Sequence, residues 1–114
     1  MSKMDLTPAV IDIRRWAMDN EKFRVIVYTN KHSRLTIMSL NPGQSIGVEK
    51  HTVDQLITIV EGDGKAIFNS KIIDITDGNV ISIPAGTVHN ITNTSDVLAM
   101  KLYSVYSSSD LKGV

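Results

Sequence analysis

The chain contains no cysteine. That absence removes disulfides, thiolate metal sites and a cysteine nucleophile together, so any metal must be held by nitrogen and oxygen donors. Excess charge of one sign is also missing: 12 Lys and Arg balance 12 Asp and Glu, for a formal net charge of +0. No global field draws the chain to nucleic acid or to an anionic membrane, and no run of like charge supplies a local one. Long apolar runs are lacking too. No stretch approaches the roughly 18 residues of a membrane span, and the opening MSKMDLTPAV lacks the apolar core of a signal peptide. The expectation is a cytoplasmic protein with no nucleic-acid and no membrane partner.

What the 114 residues do contain fits one domain, residues 1–114, with a core over about 24–106 and a loose C-terminal tail over 107–114 that begins Ser107-Ser108-Ser109. Short runs rich in Ile and Val recur at Val10 to Ile13, Val25 to Tyr28, Leu35 to Leu40, Leu56 to Val60, Ile72 to Ile75, Val80 to Ile83 and Val97 to Tyr106. Each reads as a strand. Turn residues separate them: Asn41-Pro42-Gly43, Glu61-Gly62-Asp63-Gly64, Asn69-Ser70, Asp77-Gly78-Asn79, Pro84-Ala85-Gly86 and Asn93-Thr94-Ser95-Asp96. Short, evenly spaced strands predict an all-β sandwich or closed barrel. From Asp12 to Lys22, however, Ile13, Trp16 and Ala17 recur at helical spacing, which predicts a short N-terminal helix.

The chemistry-bearing residues gather in two places. Glu49, His51 and Gln55 occupy odd positions in a stretch that continues as Ile57 and Ile59. If that stretch is one strand, all three face the apolar interior, where polar groups need a partner that a cation can supply. One strand cannot close a coordination sphere, so a second donor has to come from elsewhere. His89 is placed for this, just after the tight turn Pro84-Ala85-Gly86. Periodicity alone leaves two readings open: metal ligands, or histidines satisfied by hydrogen bonds within the core or at the surface.

The spacing of these residues resembles the paired motifs of the cupin superfamily. The first family motif runs Gly, five residues, His-x-His, three or four residues, Glu, six residues, Gly. Here Gly43, Glu49, His51, Gln55 and Gly62 stand at those positions. The second motif, Gly, five residues, Pro-x-Gly, two residues, His, three residues, Asn, is matched by Gly78, Pro84, Gly86, His89 and Asn93. The phrases IGVEKHTVDQ, VEGDGKAIF and IPAGTVHNI are also similar to a group of short cupins labelled mannose-6-phosphate isomerase-like.

The resemblance implies a jelly-roll β-barrel, a homodimer, and a divalent ion (Fe, Mn, Ni, Zn or Co) held by Glu49, His51, Gln55 and His89. It departs from the commonest family set of three His and one Glu, since Glu stands in the first His position and Gln in the Glu position. Gln55, a neutral donor, either binds the ion or hydrogen-bonds a water on it. The function implied is a metal-dependent enzyme on a small polar substrate, of isomerase, dioxygenase or lyase class. The alternatives are a non-catalytic module that binds a sugar or metabolite, and an ion-free structural cupin.

The remaining residues are read as support. His32 falls in a solvated turn, and Asp54 faces away from Gln55, outward or into a subunit contact. Tyr28, Tyr103 and Tyr106 pack in the core or at its rim. For Arg24 and Lys101 an outward, solvated charge is favoured over an inward one, and Trp16 is expected to anchor the N-terminal segment on the barrel or across a dimer interface.

Overall fold

A computed structural model describes residues 8–108. The helix α1 (Ile13–Asp19) precedes the strands β1 (Arg24–Thr29), β2 (Ser33–Leu40), β3 (Asp54–Glu61), β4 (Gly64–Phe68), β5 (Lys71–Ile75), β6 (Val80–Ile83), β7 (His89–Asn93) and β8 (Met100–Ser107). One sheet has the order β1-β2-β8-β3-β6 and the other β5-β4-β7, with every pairing antiparallel. The two sheets enclose a core of Met38, Leu40, Ile57, Ile59, Ala66, Ile81, Ile91, Met100 and Leu102, all nearly or fully buried.

This is the all-β fold expected, with one correction. The sheets do not close into a continuous barrel: among the described residues no ladder joins β6 to β5, and a groove lined by Phe68, Ile73, Val80 and Ile81 lies between those edges. β6 is only four residues long and offers little edge for a ladder to β5.

The helix is shorter than the expected span of Asp12 to Lys22. The Asp12 side chain accepts from the Arg15 backbone N–H and caps its start, while Asn20 turns extended and bonds the Lys22 backbone through its amide. A seven-residue helix has little stability of its own. It is held by Ala17, which packs with Ile37 and Val60 on the outer face of the large sheet. Of the two places expected for Trp16, the barrel surface is not the one observed: it is 47% exposed and lies outside that cluster. The expected strand from Val10 to Ile13 is absent because Ile13 opens the helix and Val10 is fully exposed.

β4 lay hidden in the sequence between two turn signals. Its entry, Gly64, packs so closely on β7 that a Cβ would collide with the Thr92 carbonyl oxygen, which explains a glycine at a strand end. β8 begins at Met100 rather than Val97, and Val97 and Leu98 are exposed. Of the expected tail, Ser107 still belongs to β8, whereas residues 109–114 lie outside the described residues.

Candidate metal centre

Residues directly opposite one another in an antiparallel ladder share a face, so the register fixes what lines the interior. One transverse row holds Arg34, Tyr106, Gln55 and Ile83; the next holds Ile26, Thr36, Ser104 and Ile57; a third holds Arg24, Met38, Leu102 and Ile59. Polar side chains thus concentrate at one end of the cavity between the sheets, and aliphatic ones fill the other.

Facing that polar end runs the segment from Gln44 to His51, which lies along β7 as an irregular additional strand. Ile46 N–H donates to the Ile91 carbonyl at 2.9 Å, and Glu49 and His89 exchange two backbone hydrogen bonds at 2.8 and 2.9 Å. Ser45 pairs with Thr92 and Glu49 with His89, so four steps on one side match three on the other. The extra residue is a β-bulge at Gly47, whose φ of +108° suits glycine and whose N–H is held by Asn90 Oδ1 at 3.0 Å. Without the bulge Val48 would oppose His89. With it, Glu49 does, and its carboxylate turns inward.

The expectation that Glu49, His51 and Gln55 share one strand is therefore corrected. Glu49 and His51 precede β3, on the segment that crosses from one sheet to the other, and Gln55 lies inside β3. The crossing is pinned at the turn: Gly86 N–H donates to the His51 carbonyl at 2.8 Å, and Ala85 N–H donates to Asp54 Oδ1 at 2.9 Å. Asp54 faces outward as expected, yet it ties the start of β3 to the turn that leads into His89.

Glu49, His51 and His89 come together with one potential ligand atom each, all within 4.8 Å of one another. Among the described residues, three buried side-chain atoms lack a hydrogen-bond partner: His51 Nε2, His89 Nε2 and Gln55 Oε1. An orphaned buried polar atom is costly, and the two imidazole nitrogens, which lie together beside a carboxylate, call for a shared partner. His89 Nδ1 lies 2.8 Å from the Thr87 carbonyl, which can only accept, so the neutral ring protonates Nδ1 and presents a lone pair at Nε2. Gln55 Nε2 donates to Ser104 Oγ at 2.8 Å, which leaves Oε1 as its free end. Glu49 Oε1 stands 3.7 Å from His51 Nε2, too far for a hydrogen bond. Two imidazole nitrogens, a carboxylate and an amide oxygen suit a borderline divalent ion.

Tyr106 and Arg24 complete the surroundings. The Tyr106 ring meets His51 edge-on at 5.5 Å between centroids. Burial pushes its phenol above the usual tyrosine value and the Glu49 charge adds to this, while Arg24, a hydrogen bond with Ser104 and Arg34 pull the other way. Arg24 Nη2 lies 3.5 Å from Glu49 Oε2, so the inward orientation ranked second for Arg24 is the one observed. On a half-covered edge strand, alternation separates Arg24 from Val25 without saying which face is inside. Lys101 instead points outward to the Asn20 carbonyl and Ser39 Oγ. Tyr103 packs with the helix cluster, Tyr28 lines an outer groove of about 540 Å³, and exposed His32 faces the Ser108 carbonyl, all away from the cluster.

Comparison with known proteins agrees with this architecture. Residues 36–106 match the model of the Cupin domain. The chain belongs to the cupin family. An uncharacterised protein, YrkC, of Bacillus subtilis (strain 168) is 39% identical over 108 residues, 88% of this chain and 57% of its own length. An uncharacterised protein of Acanthamoeba polyphaga mimivirus is 37% identical over 106 residues, 89% of this chain and 66% of its own. The cupin thus spans under two thirds of either relative. A Bacillus halodurans crystal structure superposes with a TM-score of 0.86 at 32% identity, over 92% of this chain and 84% of that one.

Within this cupin the motif residues divide by role. Gly78 and Gly86 adopt positive φ at turns. Asn93 is fully buried and its amide bonds the carbonyls of Leu40, Asn41 and Leu98, so it closes loops at the end of the core away from the cluster. Among the described residues no helix is long and apolar enough to cross a membrane.

Proposed function

We propose that this cupin holds one divalent metal ion through Glu49, His51 and His89, with Gln55 as a fourth, weaker donor, and acts as a metal-dependent enzyme on a small polar substrate. The observation that carries the reading is the pair of orphaned buried nitrogens, His51 Nε2 and His89 Nε2, that meet beside the Glu49 carboxylate. Once bound, such an ion supplies Lewis-acid polarisation of a substrate oxygen, which serves isomerase, dioxygenase or lyase chemistry alike.

The chain's own residues have separable tasks. Glu49 brings the negative charge that offsets burial of a dication, and the Thr87 carbonyl holds His89 in the ligating tautomer. The aliphatic floor of Ile57, Ile91 and Leu102 keeps water from the inner side. Glu49 and His51 remain partly exposed, at 21% and 18% of their side-chain surface, so a small ligand reaches them from outside. A homodimer belongs to the same reading, supported by exposed Ile72, Ile73 and Val80 beside the open edges of β5 and β6. Sedimentation at micromolar concentration tests it.

Elemental analysis of purified protein tests the metal reading, with near-stoichiometric metal expected in the wild type and none in His89→Ala. Metal-dependent turnover in a screen of hydroxy acids, diketones and sugar phosphates then supports the enzyme. Tight ligand binding with no turnover under any of the five metals overturns it in favour of a binding module.

A further inference from the structure

Among the described residues, Arg24 is the Lys or Arg that reaches the cluster, and its position has a chemical meaning. Its guanidinium lies 5.7 Å from the Phe23 ring centroid, and among the described residues one of its five N–H donors, on Nη2, meets an acceptor, Glu49 Oε2 at 3.5 Å, longer than the 2.7–2.9 Å or so usual for charge-assisted bonds. Its side chain is 38% exposed at the mouth of the cavity, beside half-exposed Ile26. The carboxylate of Glu49 is divided between two neighbours: Oε1 faces His51 Nε2, on the side of the metal donors, and Oε2 faces Arg24. The guanidinium and the ion site therefore flank one carboxylate, with a single carboxyl group's width between them.

Charge completes the case. A dication and a guanidinium share one glutamate, and Arg34 stands in the same inward row as Tyr106 and Gln55. The other polar groups there, Thr36, Ser104 and Tyr106, are hydroxyls. The mouth keeps excess positive charge that a neutral ligand such as an unmodified sugar leaves uncompensated.

Resting on the metal reading above, we propose that this site takes a small organic acid with a second oxygen on the carbon next to its carboxylate, a 2-hydroxy or 2-oxo acid. The Arg24 guanidinium grips the carboxylate, and the adjoining oxygen is directed toward Glu49, His51 and His89. Arg24 is a specificity-determining residue in this scheme and holds no metal. Removing its positive charge from beside a dication leaves metal affinity unchanged or higher.

The test uses Co(II)-loaded protein and its visible absorption, with glycolate and its neutral isostere glycolamide as probes and inorganic phosphate as a competitor. Glycolate should perturb the spectrum saturably and bind at least tenfold more tightly than glycolamide. In Arg24→Gln, Co(II) stoichiometry should hold while glycolate affinity falls roughly 10- to 100-fold, the range for a hydrogen bond to a charged group, with glycolamide unaffected. Arg24→Lys should recover part of the loss. Equal binding of acid and amide, tighter binding of phosphate than of glycolate, or an unchanged glycolate affinity in Arg24→Gln overturns this inference alone. Failure of the wild type to take up Co(II) overturns the metal reading, and this inference falls with it.

Discussion

Glu49 and His89 donate to each other's backbone carbonyls, and this reciprocal pair sets their side chains on one face of the small sheet. The pairing exists because the bulge at Gly47 inserts one residue ahead of it. Nothing lies within 4 Å of where a Cβ on Gly47 would stand, so Gly47→Ala meets no clash, only the strain of φ +108°, of order 1–3 kcal/mol. The expected outcome is a folded protein with weakened metal binding, since relief of strain slips the register toward Val48. A competition titration with a chromophoric chelator checks it, and unchanged affinity would show that Glu49 does not need the bulge.

His51 and His89 reach the cluster from different segments, and each ends in an orphaned buried nitrogen. His51→Ala and His89→Ala should each abolish stoichiometric metal. Loss of a hydrogen-bond partner behind a ligand already costs about 10- to 100-fold in affinity, so loss of the ligand itself exceeds that. Elemental analysis after desalting gives the answer directly.

Glu49 and Gln55 allow a ranking. Glu49 is the anionic donor of the set, whereas Gln55 Oε1 is neutral and its amide is already tethered to Ser104. Glu49→Gln should weaken metal binding more than Gln55→Ala, because its charge offsets the cost of burying a dication. Equal losses in the same titration would give Gln55 the standing of a full ligand.

How much of this was legible in the sequence depends on which contacts are local. Strands β2, β3, β5 and β6 follow their apolar runs, and the Asn69-Ser70 turn, with Asn69 at φ +54°, joins β4 to β5 as its residues predict. The spacing of Glu49, His51, Gln55 and His89 also pointed to residues that the fold brings to one cavity. The route was hidden, because a bulge at Gly47 and a crossing between sheets are set by hydrogen bonds to β7, some 40 residues away in the chain. Arg24 was hidden for a related reason: its inward direction follows from register against β2, which single-strand alternation does not contain. Tyr106, read as core or rim, is buried beside Val53.

Metal removal should leave the fold standing. The aliphatic core from Met38 to Leu102 contains none of the proposed ligands, and Asn93 closes its far end without them. Chelation should preserve the far-ultraviolet β signal while lowering the thermal midpoint, by the linkage of about 2.7 kcal/mol expected for an ion at 100 times its Kd. Loss of the β signal on adding chelator would make the ion part of the folding nucleus instead.

Tyr106 supplies a pH test on the chelated protein. Its phenol is raised above 10.0, first by burial and then by the Glu49 charge, against the pull of Arg24, Ser104 and Arg34. A folded-state value above the unfolded one means that the native state holds this proton more tightly, so the contribution is complete below about pH 10. It is lost as pH rises through the folded value, because the unfolded chain releases the proton first. Urea midpoints measured from about pH 9 to pH 12 should therefore fall more steeply in the wild type than in Tyr106→Phe, which has no proton to lose there. Every other alkaline titration is common to both proteins, so the difference in slope isolates the phenol. Parallel curves would mean that the hydroxyl meets water or a cation strongly enough to cancel its burial.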